Sequence, residues 1–382
     1  MRTCLVLPLL AIACGGVEPE LLFDEGERDV GYATVELTYP SAADGEDRVI
    51  TVQVWYPADR GEAQAATYEV AGIVSVVSDG AYDAPEARLD GTAPLAIYSH
   101  GSGGQGLLGY PYGEHLASHG WVVMAPDHVG NTSLDATGSG MDPYVLTALN
   151  RPNDVSATLD AANDLVDGVT VDADHALVIG HSFGGYTALS VGGMVQDVDA
   201  MITLCTDVED DPNCALVGNS DIEAAFRAGF RDERAVALVP QAPGLVSSAV
   251  KSSLADVDVP VLLQSGERDQ TTPHVREAVP TWDNLDGEGD VWVNLPDGGH
   301  YTFVTVCDDL EPALVNLFIR GIDEDGCGED FLPVSEAIPR LTATLHAFGN
   351  QHVLGEEGWT EALLEGGTEV WGAGLEISGR AE

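Results

Sequence analysis

The strongest indication of the fold of this chain is the segment Val178-Ile179-Gly180-His181-Ser182-Phe183-Gly184-Gly185-Tyr186. The apolar run over residues 176–179 enters it as a strand, and the residues from Gly185 onward read as the first turns of a helix. A serine between two glycines, placed between a strand and a helix, is typical of the nucleophile elbow G-x-S-x-G. Gly180 and Gly184 supply the space that this tight turn needs, and His181 lies within the turn. A chance match in a chain with 44 glycines is the alternative. The two interpretations are distinguished by whether catalytic partners for Ser182 follow in the sequence.

The composition describes a folded and very acidic chain. Its 382 residues include 63 acidic and 15 basic side chains, which gives a net charge of −48. Apolar residues make up 45% of the chain, as expected for a globular protein. Such a surface repels nucleic acid and anionic lipid, so we expect no nucleic-acid partner. It would suit a saline habitat, where salt screens the self-repulsion.

The N-terminus predicts export. An apolar run from Leu5 to Ile12 follows one arginine and leads to small residues, a pattern of secretory signals that is too short to span a bilayer. The ending Leu10-Ala11-Ile12-Ala13-Cys14 resembles a bacterial lipobox, in which Cys14 would carry the lipid. We predict a signal peptide over 1–14, an acidic tether over 15–30 and an anchor in the cell envelope, with the outer membrane favoured. An ordinary signal peptide and free secretion are the alternative, and no membrane contact is expected beyond the anchor.

Four further cysteines agree with export, because disulfides form in oxidising compartments. Four cysteines allow three pairings, and we favour the pairing that closes short loops. The loops lack histidines and paired C-x-x-C spacing, so no metal site is predicted there. The favoured pairs are Cys205 with Cys214 and Cys307 with Cys327.

From Pro94 onward, apolar runs alternate with helical patterns, which indicates an α/β protein with a mostly parallel sheet covered by helices on both faces. We expect one domain over 31–382, with insertions at 58–93, 129–150 and 195–232, part of which forms a small lid. The predicted strands number eight: 32–39, 49–56, 95–98, 121–125, 176–179, 235–239, 259–264 and 291–295. The predicted helices are 112–119, 153–166, 187–194, 198–205, 334–348 and 359–364.

Two residues downstream of Ser182 are predicted to complete a catalytic triad. A serine hydroxyl needs a base to take its proton and a carboxylate to orient that base. After an elbow of this kind the partners follow in the order acid, then histidine. Asp269 lies just past the strand 259–264, and His300 lies in the glycine-rich loop after the strand 291–295. The weaker rivals are Glu267, Asp258, His274 and His346.

An oxyanion hole is expected beside Ser182. The tetrahedral intermediate of acyl transfer needs backbone N–H donors aimed at its oxygen. The residue after the nucleophile, Phe183, should supply one donor. The other is expected from the loop His100-Gly101-Ser102-Gly103-Gly104, with Ser102 as the candidate.

Together these motifs resemble serine α/β-hydrolases of the platelet-activating-factor acetylhydrolase and predicted dienelactone-hydrolase-like group. The resemblance implies the α/β-hydrolase fold, ester hydrolysis through an acyl-enzyme, and no metal or organic cofactor. True dienelactone hydrolases use a cysteine at the place of Ser182. The regions 129–150 and 195–232 match least. The matching stretches are 98–104, 116–123, 127–128, 151–155, 180–186, 232–236, 259–269 and 298–301.

The predicted function is therefore hydrolysis of small or short-acyl carboxylic esters by a serine esterase. A lipase or phospholipase acting on short acyl chains and a polyester hydrolase are alternatives within the same chemistry. A catalytically silent surface binding protein is the alternative from another class. A calcium-stabilised protein, suggested by the acidic stretches 207–211 and 323–326, is disfavoured because Pro212 breaks the EF-hand pattern.

Overall fold

The computed structural model describes residues 17–206, 208, 211–309 and 321–380. The predicted signal peptide and Cys14 lie outside the described residues, as do three acidic residues of the stretch 207–211.

Within the described residues, twelve strands form one sheet. The strand order is β12-β11-β10-β9-β8-β6-β7-β2-β1-β4-β3, with β5 paired to β2. The pairings from β7 through β6, β8, β9 and β10 to β11 are all parallel. The strands are β1 Asp29–Pro40, β2 Asp47–Asp59, β3 Ala65–Val70, β4 Val74–Asp83, β5 Glu86–Ala87, β6 Ala93–Ser99, β7 Val122–Pro126, β8 Val171–His181, β9 Ala235–Gln241, β10 Leu262–Gly266, β11 Val291–Leu295 and β12 Glu376–Gly379.

Helices connect the parallel strands and cover the sheet. They are α1 Tyr110–Ser118, α2 Ser133–Thr137, α3 Tyr144–Ala161, α4 Phe183–Gly192, α5 Val198–Leu204, α6 Pro212–Val217, α7 Ser220–Ala228, α8 Ala278–Asn284, α9 Val306–Asp309, α10 Val334–His352 and α11 Trp359–Trp371. The predicted helix 153–166 begins earlier than expected, at Tyr144, and ends at Ala161. The predicted helix 198–205 is present as α5.

The α/β class is confirmed, but the sheet is mixed: its central strands pair in parallel and its outer strands mostly antiparallel, and the predicted number of eight strands is wrong. The eight predicted strands correspond to β1, β2 and β6–β11, and the structure adds β3, β4, β5 and β12. Residues 58–93 are not merely a surface excursion, because β4 pairs with β1 and β3 pairs with β4. Along β3 every second residue is buried, and these are Ala66, Tyr68 and Val70. The alternation is difficult to recognise from the sequence, because acidic and small residues surround it.

The central strands are apolar throughout because both faces of the sheet are buried. On β6, Ala96 and Tyr98 join the hydrophobic core that contains α1, α10 and α11. The intervening Leu95 and Ile97 join the core on the other face, against α3 and α4. Side chains of a strand alternate between faces, so an unbroken apolar run is what a doubly covered strand requires.

The region 195–232 folds as three short helices, α5 to α7, that pack beside the elbow. Ile222 and Phe226 of α7 lie in one apolar cluster with Phe183 and Tyr186 of α4. This insertion therefore packs against the segment that follows Ser182.

Both disulfides have the favoured, sequence-local pairing, Cys205 with Cys214 and Cys307 with Cys327. Such bonds persist in oxidising compartments, so they indicate an extracellular or periplasmic protein. None of the helices in the described residues has both the length and the apolar character needed to cross a bilayer.

Candidate active site

The candidate site lies where the parallel strands end. Strand β8 runs directly into Ser182, β10 is followed by Asp269, and β11 is followed by His300. The loop that begins at His100 follows β6. Because parallel strands bring their carboxyl ends to one edge of a sheet, side chains far apart in sequence meet there.

Ser182 adopts a strained backbone conformation. Its φ is 59° and its ψ is −115°, a region that residues with a side chain rarely occupy. A Cβ on Gly180 would lie 2.0 Å from the Gly184 carbonyl oxygen, and a Cβ on Gly184 would lie 1.8 Å from the Ser99 carbonyl oxygen. Only glycine fits at both places, as the elbow motif predicts. The Ser182 N–H donates to the Gln241 carbonyl at 2.9 Å, which ties the turn to β9.

The structure brings Ser182, His300 and Asp269 together in a chain of hydrogen bonds. His300 Nε2 lies 2.9 Å from Ser182 Oγ, and His300 Nδ1 lies 2.9 Å from Asp269 Oδ2. The three residues are only 9%, 2% and 6% exposed, respectively. A nucleophile, a base and a carboxylate in this geometry can perform nucleophilic acyl transfer.

Thr272, which the sequence analysis missed, holds the carboxylate. Its N–H donates to Asp269 Oδ1 and its hydroxyl donates to Asp269 Oδ2, both at 2.7 Å. The same hydroxyl lies 3.1 Å from His300 Nδ1 and 3.0 Å from the Ala242 carbonyl oxygen. The position three residues after the acid, in the same turn, is the signal that could have revealed it.

The rival residues lie in other contacts. Glu267 accepts a hydrogen bond from Asn294 at 2.8 Å, and Asp258 forms an ion pair with Arg231. The His274 ring stacks on Trp292, and His346 lies against His115.

The loop 100–104 passes directly beside the elbow. A Cβ on Gly101 would lie 3.3 Å from the Ser182 Cβ and 3.1 Å from His181 Nδ1. Ser102 follows in this loop, and its hydroxyl accepts a hydrogen bond from the Asn131 side chain at 3.2 Å. The loop that carries the predicted second oxyanion donor therefore passes next to Ser182.

A fully buried arginine, Arg151 of α3, holds this loop. Its guanidinium donates to the carbonyl oxygens of His100 at 2.6 Å and Gly101 at 3.2 Å, and to the Asn131 side chain at 2.7 Å. It also lies 4.5 Å from the centre of the Phe183 ring. Burial lowers the pKa of Arg151 to about 9, so the group is charged at neutral pH. The carbonyl of Gly101 and the N–H of Ser102 belong to one planar peptide and point in opposite directions, so Arg151 fixes the direction of that N–H.

Further buried polar groups lie beside the end of β6 and the loop 100–104. His128 Nδ1 donates to Asp154 at 2.8 Å, and His128 Nε2 lies 2.8 Å from the Ser99 hydroxyl. Arg48 also donates to Asp154, at 2.8 Å. Burial opposes ionisation of Asp154, but the hydrogen bonds from His128 and Arg48 outweigh it and lower the pKa of Asp154. Burial and the nearby Arg151 lower the pKa of His128 to about 4.

Asp325 connects the acid loop to the histidine loop. One carboxylate oxygen accepts from the N–H groups of Gln270 at 2.8 Å and His300 at 3.0 Å. The other accepts from the N–H of Thr271 at 2.9 Å and from its hydroxyl at 2.7 Å. Asp325 lies two residues before Cys327, so the disulfide to Cys307 anchors the segment that carries it.

The carbonyl of His300 is held as well. His181, within the elbow, donates from Nε2 to this oxygen at 2.9 Å. Burial, with a further contribution from His300, lowers the pKa of His181 to about 3, so it stays neutral. The elbow and the histidine loop are thus joined by a bond outside the triad.

The fold and the site define the class of this chain, a serine α/β-hydrolase. Comparisons with known proteins show what the chain is similar to. The family model of platelet-activating factor acetylhydrolase, isoform II, matches residues 26–139. Over these residues the chain is similar to this family, as the sequence motifs predicted.

A solved structure with the same fold is a ferulic acid esterase from Streptomyces cinnamoneus. The two chains are 22% identical and superpose with a TM-score of 0.58, covering 86% of this chain and 91% of the esterase. At this identity the likeness shows the fold. A comparison with curated proteins gives no match.

Proposed function

We propose that this protein hydrolyses carboxylic esters through an acyl-enzyme formed on Ser182. His300 takes the proton of the Ser182 hydroxyl as the oxygen attacks the ester carbonyl, and then gives it to the leaving alcohol. Asp269 keeps the Nδ1 proton of His300 in place, which leaves Nε2 facing the serine. A water molecule then releases the acid by the same route. The observation that carries the proposal is the pair of 2.9 Å contacts from His300 to Ser182 and Asp269.

The N–H groups of Phe183 and Ser102 are the proposed oxyanion donors. The position of Phe183 directly after Ser182 supports the first assignment. The bond from Arg151 to the Gly101 carbonyl supports the second, because it restrains the peptide that carries the Ser102 N–H. Donors that are fixed before the reaction stabilise the intermediate without reorganising.

Small or short-acyl esters are the proposed substrates. Ser182 is only 9% exposed, so a bulky acyl group has little room to reach it. Helices α5 to α7, which pack against α4, are proposed to form the lid and one wall of the acyl site.

A short-acyl phospholipid-like ester is a second candidate substrate. Several large apolar side chains in the segment 129–150 are exposed, which suits contact with a lipid-like molecule. They are Val129, Leu134, Met141 and Tyr144. The match to the acetylhydrolase model, which includes part of this segment, also supports this candidate.

The test is hydrolysis of p-nitrophenyl esters from acetate to decanoate, with methyl ferulate and a short-acyl phospholipid added. Wild type, Ser182→Ala and the control Ser139→Ala, an exposed loop serine, are compared. We expect activity that falls with chain length and disappears only in Ser182→Ala. A wild type without turnover, together with Ser182 left unlabelled by a fluorophosphonate probe, would instead identify a silent binding protein.

Lipid anchoring at Cys14 is a separate proposal, supported by the lipobox-like ending of the signal peptide. Expression in a bacterium fed labelled palmitate should label the wild type and leave Cys14→Ala unlabelled. Label in both proteins, or in neither, would contradict the anchor.

A further inference from the structure

Three histidines outside the candidate active site come together where α1 meets α10. His115 lies on α1, His119 caps the end of that helix one turn later, and His346 lies on α10. The centroids of the three rings are 4.6 to 5.1 Å apart. One nitrogen from each ring lies within 4.8 Å of the other two. Three of the 10 histidines of the chain therefore contact one another, and each can supply a metal ligand.

The spacing of these nitrogens is close to that of a shared metal ligand set. A tetrahedral metal with bonds of about 2.0–2.1 Å holds its nitrogen ligands roughly 3.3 Å apart. His115 Nε2 and His346 Nδ1 are already 3.0 Å apart. The third ring, His119, is half-buried at the end of α1, and its ligand atom lies within 4.8 Å of those of the other two rings.

The two rings that face each other can both supply a metal ligand. His115 Nε2 and His346 Nδ1 lie 3.0 Å apart, so one of these nitrogens donates a hydrogen bond and the other accepts it. A neutral imidazole offers a lone pair on one ring nitrogen. One proton lies between them, and a shift to the other nitrogen of its ring frees both facing atoms without net proton loss.

The surroundings also favour a ligand. His119 Nε2 donates to the Asp24 carbonyl oxygen at 3.1 Å, which leaves Nδ1 for a metal; ligating histidines commonly have such a backbone partner. Among the described residues, none of the three rings forms an ion pair with a carboxylate. A cavity of about 350 Å³, lined by His119, His346 and Glu356, provides access and room for a fourth ligand such as water.

This cluster is at the opposite edge of the sheet from Ser182. The same cavity is lined by Ala93 and Pro94, at the beginning of β6, and by Trp121, just before β7. The candidate active site lies past the ends of the parallel strands. A metal in the cluster would therefore join α1 to α10 without touching the reacting groups.

We propose that His115, His119 and His346 bind one divalent transition-metal ion of the zinc type, which fastens α1 to α10. Three imidazole nitrogens suit Zn²⁺, Cu²⁺ or Ni²⁺, whereas Ca²⁺ and Mg²⁺ prefer oxygen ligands. The many surface carboxylates are the competing sites for any cation. The site is structural, and ester hydrolysis does not depend on it.

Calorimetric titration of chelator-treated protein with ZnCl₂ tests the proposal, in a CaCl₂ background that occupies the carboxylates. The proteins compared are wild type, His119→Ala, His346→Gln and the control His175→Ala, an exposed histidine beside Asp172. We expect one tight Zn²⁺ equivalent in wild type and control, and binding weakened by more than about 10-fold in the other two. Zn²⁺ should also raise the melting temperature of wild type and control, but not that of His119→Ala.

Co²⁺ gives a second readout, because tetrahedral coordination by nitrogen produces strong visible absorption. Wild type should show it, and His119→Ala should not. Equal Zn²⁺ affinity in wild type and His119→Ala would overturn the proposal, and so would absence of Zn²⁺ binding in wild type. His119 is half-buried, so this variant keeps the test valid even if His346→Gln fails to fold.

Discussion

Two groups of histidines at opposite edges of the sheet differ in what holds their rings. At the catalytic edge, His300, His181 and His128 each contact a carboxylate, carbonyl or hydroxyl at 2.8 to 2.9 Å. At the other edge, His115 and His346 contact each other. A ring between fixed partners has one defined tautomer, whereas rings that face one another can change tautomer and share a ligand. The first arrangement suits directed proton transfer, and the second suits metal binding.

Replacing Asp269 by asparagine should have the largest effect. The amide cannot accept both the Nδ1 proton of His300 and the bonds from Thr272, so the tautomer of His300 is no longer fixed. We expect kcat for ester hydrolysis to fall by about 10³–10⁴-fold. Asp258→Asn, in an exposed ion pair, is the control. Activity within a few-fold of wild type would exclude Asp269 as the triad acid.

Loss of the Arg151 guanidinium should have the next largest effect. In Arg151→Met the carbonyls of His100 and Gly101 lose their donor, so we expect kcat to fall by about 10–10²-fold while KM changes little, since the oxyanion forms only during reaction. Arg151→Lys should recover part of the lost activity, because lysine keeps the positive charge but lacks the planar guanidinium that donates to several acceptors at once. Arg231→Ala, at the surface, serves as the control. A folded Arg151→Met with unchanged kcat would contradict this role.

Asp325→Asn should have a smaller effect that combines activity and stability. Replacing one oxygen by an NH₂ group removes the acceptor of two bonds from Thr271, or of the bonds from Gln270 and His300. We expect a loss of about 1–3 kcal/mol in the free energy of unfolding and a several-fold fall in kcat. Urea titration and steady-state kinetics measure the two. Unchanged stability would show that Asp325 does not join the loops.

Acid should destabilise the folded protein through buried histidines of both groups. Burial lowers the pKa of His115 and His181 to about 3 and of His128 to about 4. Below about pH 6.5 the unfolded chain binds protons on these rings and the folded chain does not, so stability falls as the pH decreases from about 6.5 to 4. Burial raises the pKa of Asp127 and Asp290 to about 6, and protonation there acts in the opposite direction.

The histidines are the larger set, so we expect a net fall in the urea midpoint between about pH 6.5 and 4.5. The measurement is made in about 1 M NaCl, which screens the repulsion among surface carboxylates. A midpoint that rises over this range would show that the buried carboxylates dominate.

The smallest expected effect is that of His119→Ala on ester hydrolysis. The residue lies at the edge opposite Ser182, so we expect kcat and KM within about two-fold of wild type. A large fall in kcat, in a variant with wild-type stability, would show that the two edges are coupled.

The sequence predicts the elements of the site whose position follows from strand order. Ser182, Asp269 and His300 each come directly after an apolar strand, so their meeting at one edge of the sheet follows from parallel topology. The role of Arg151 does not follow from the sequence, because a helix sequence does not show which carbonyls a side chain reaches. Asp325 could not be singled out among 63 acidic residues, since its partners lie more than fifty residues earlier or on the histidine loop.

The strand count was missed for a related reason. Strands β3, β4, β5 and β12 lie in segments rich in small or acidic residues, and each of them buries only part of its surface. The sequence does not predict the histidine cluster, because His346 lies within the helical pattern 334–348, far along the chain from His115 and His119. Nothing in that helix indicates that α1 brings two further rings to it.

The left-handed backbone at Ser182 has an evolutionary consequence. Holding a side chain at φ 59° costs on the order of 1–3 kcal/mol, and glycine would remove most of that cost. Random substitution under selection for stability alone would therefore favour glycine at this position, whereas the protein has serine. Ser182→Gly should yield a more heat-resistant and inactive protein. The difference in melting temperature would measure how much the serine at this position destabilises the fold.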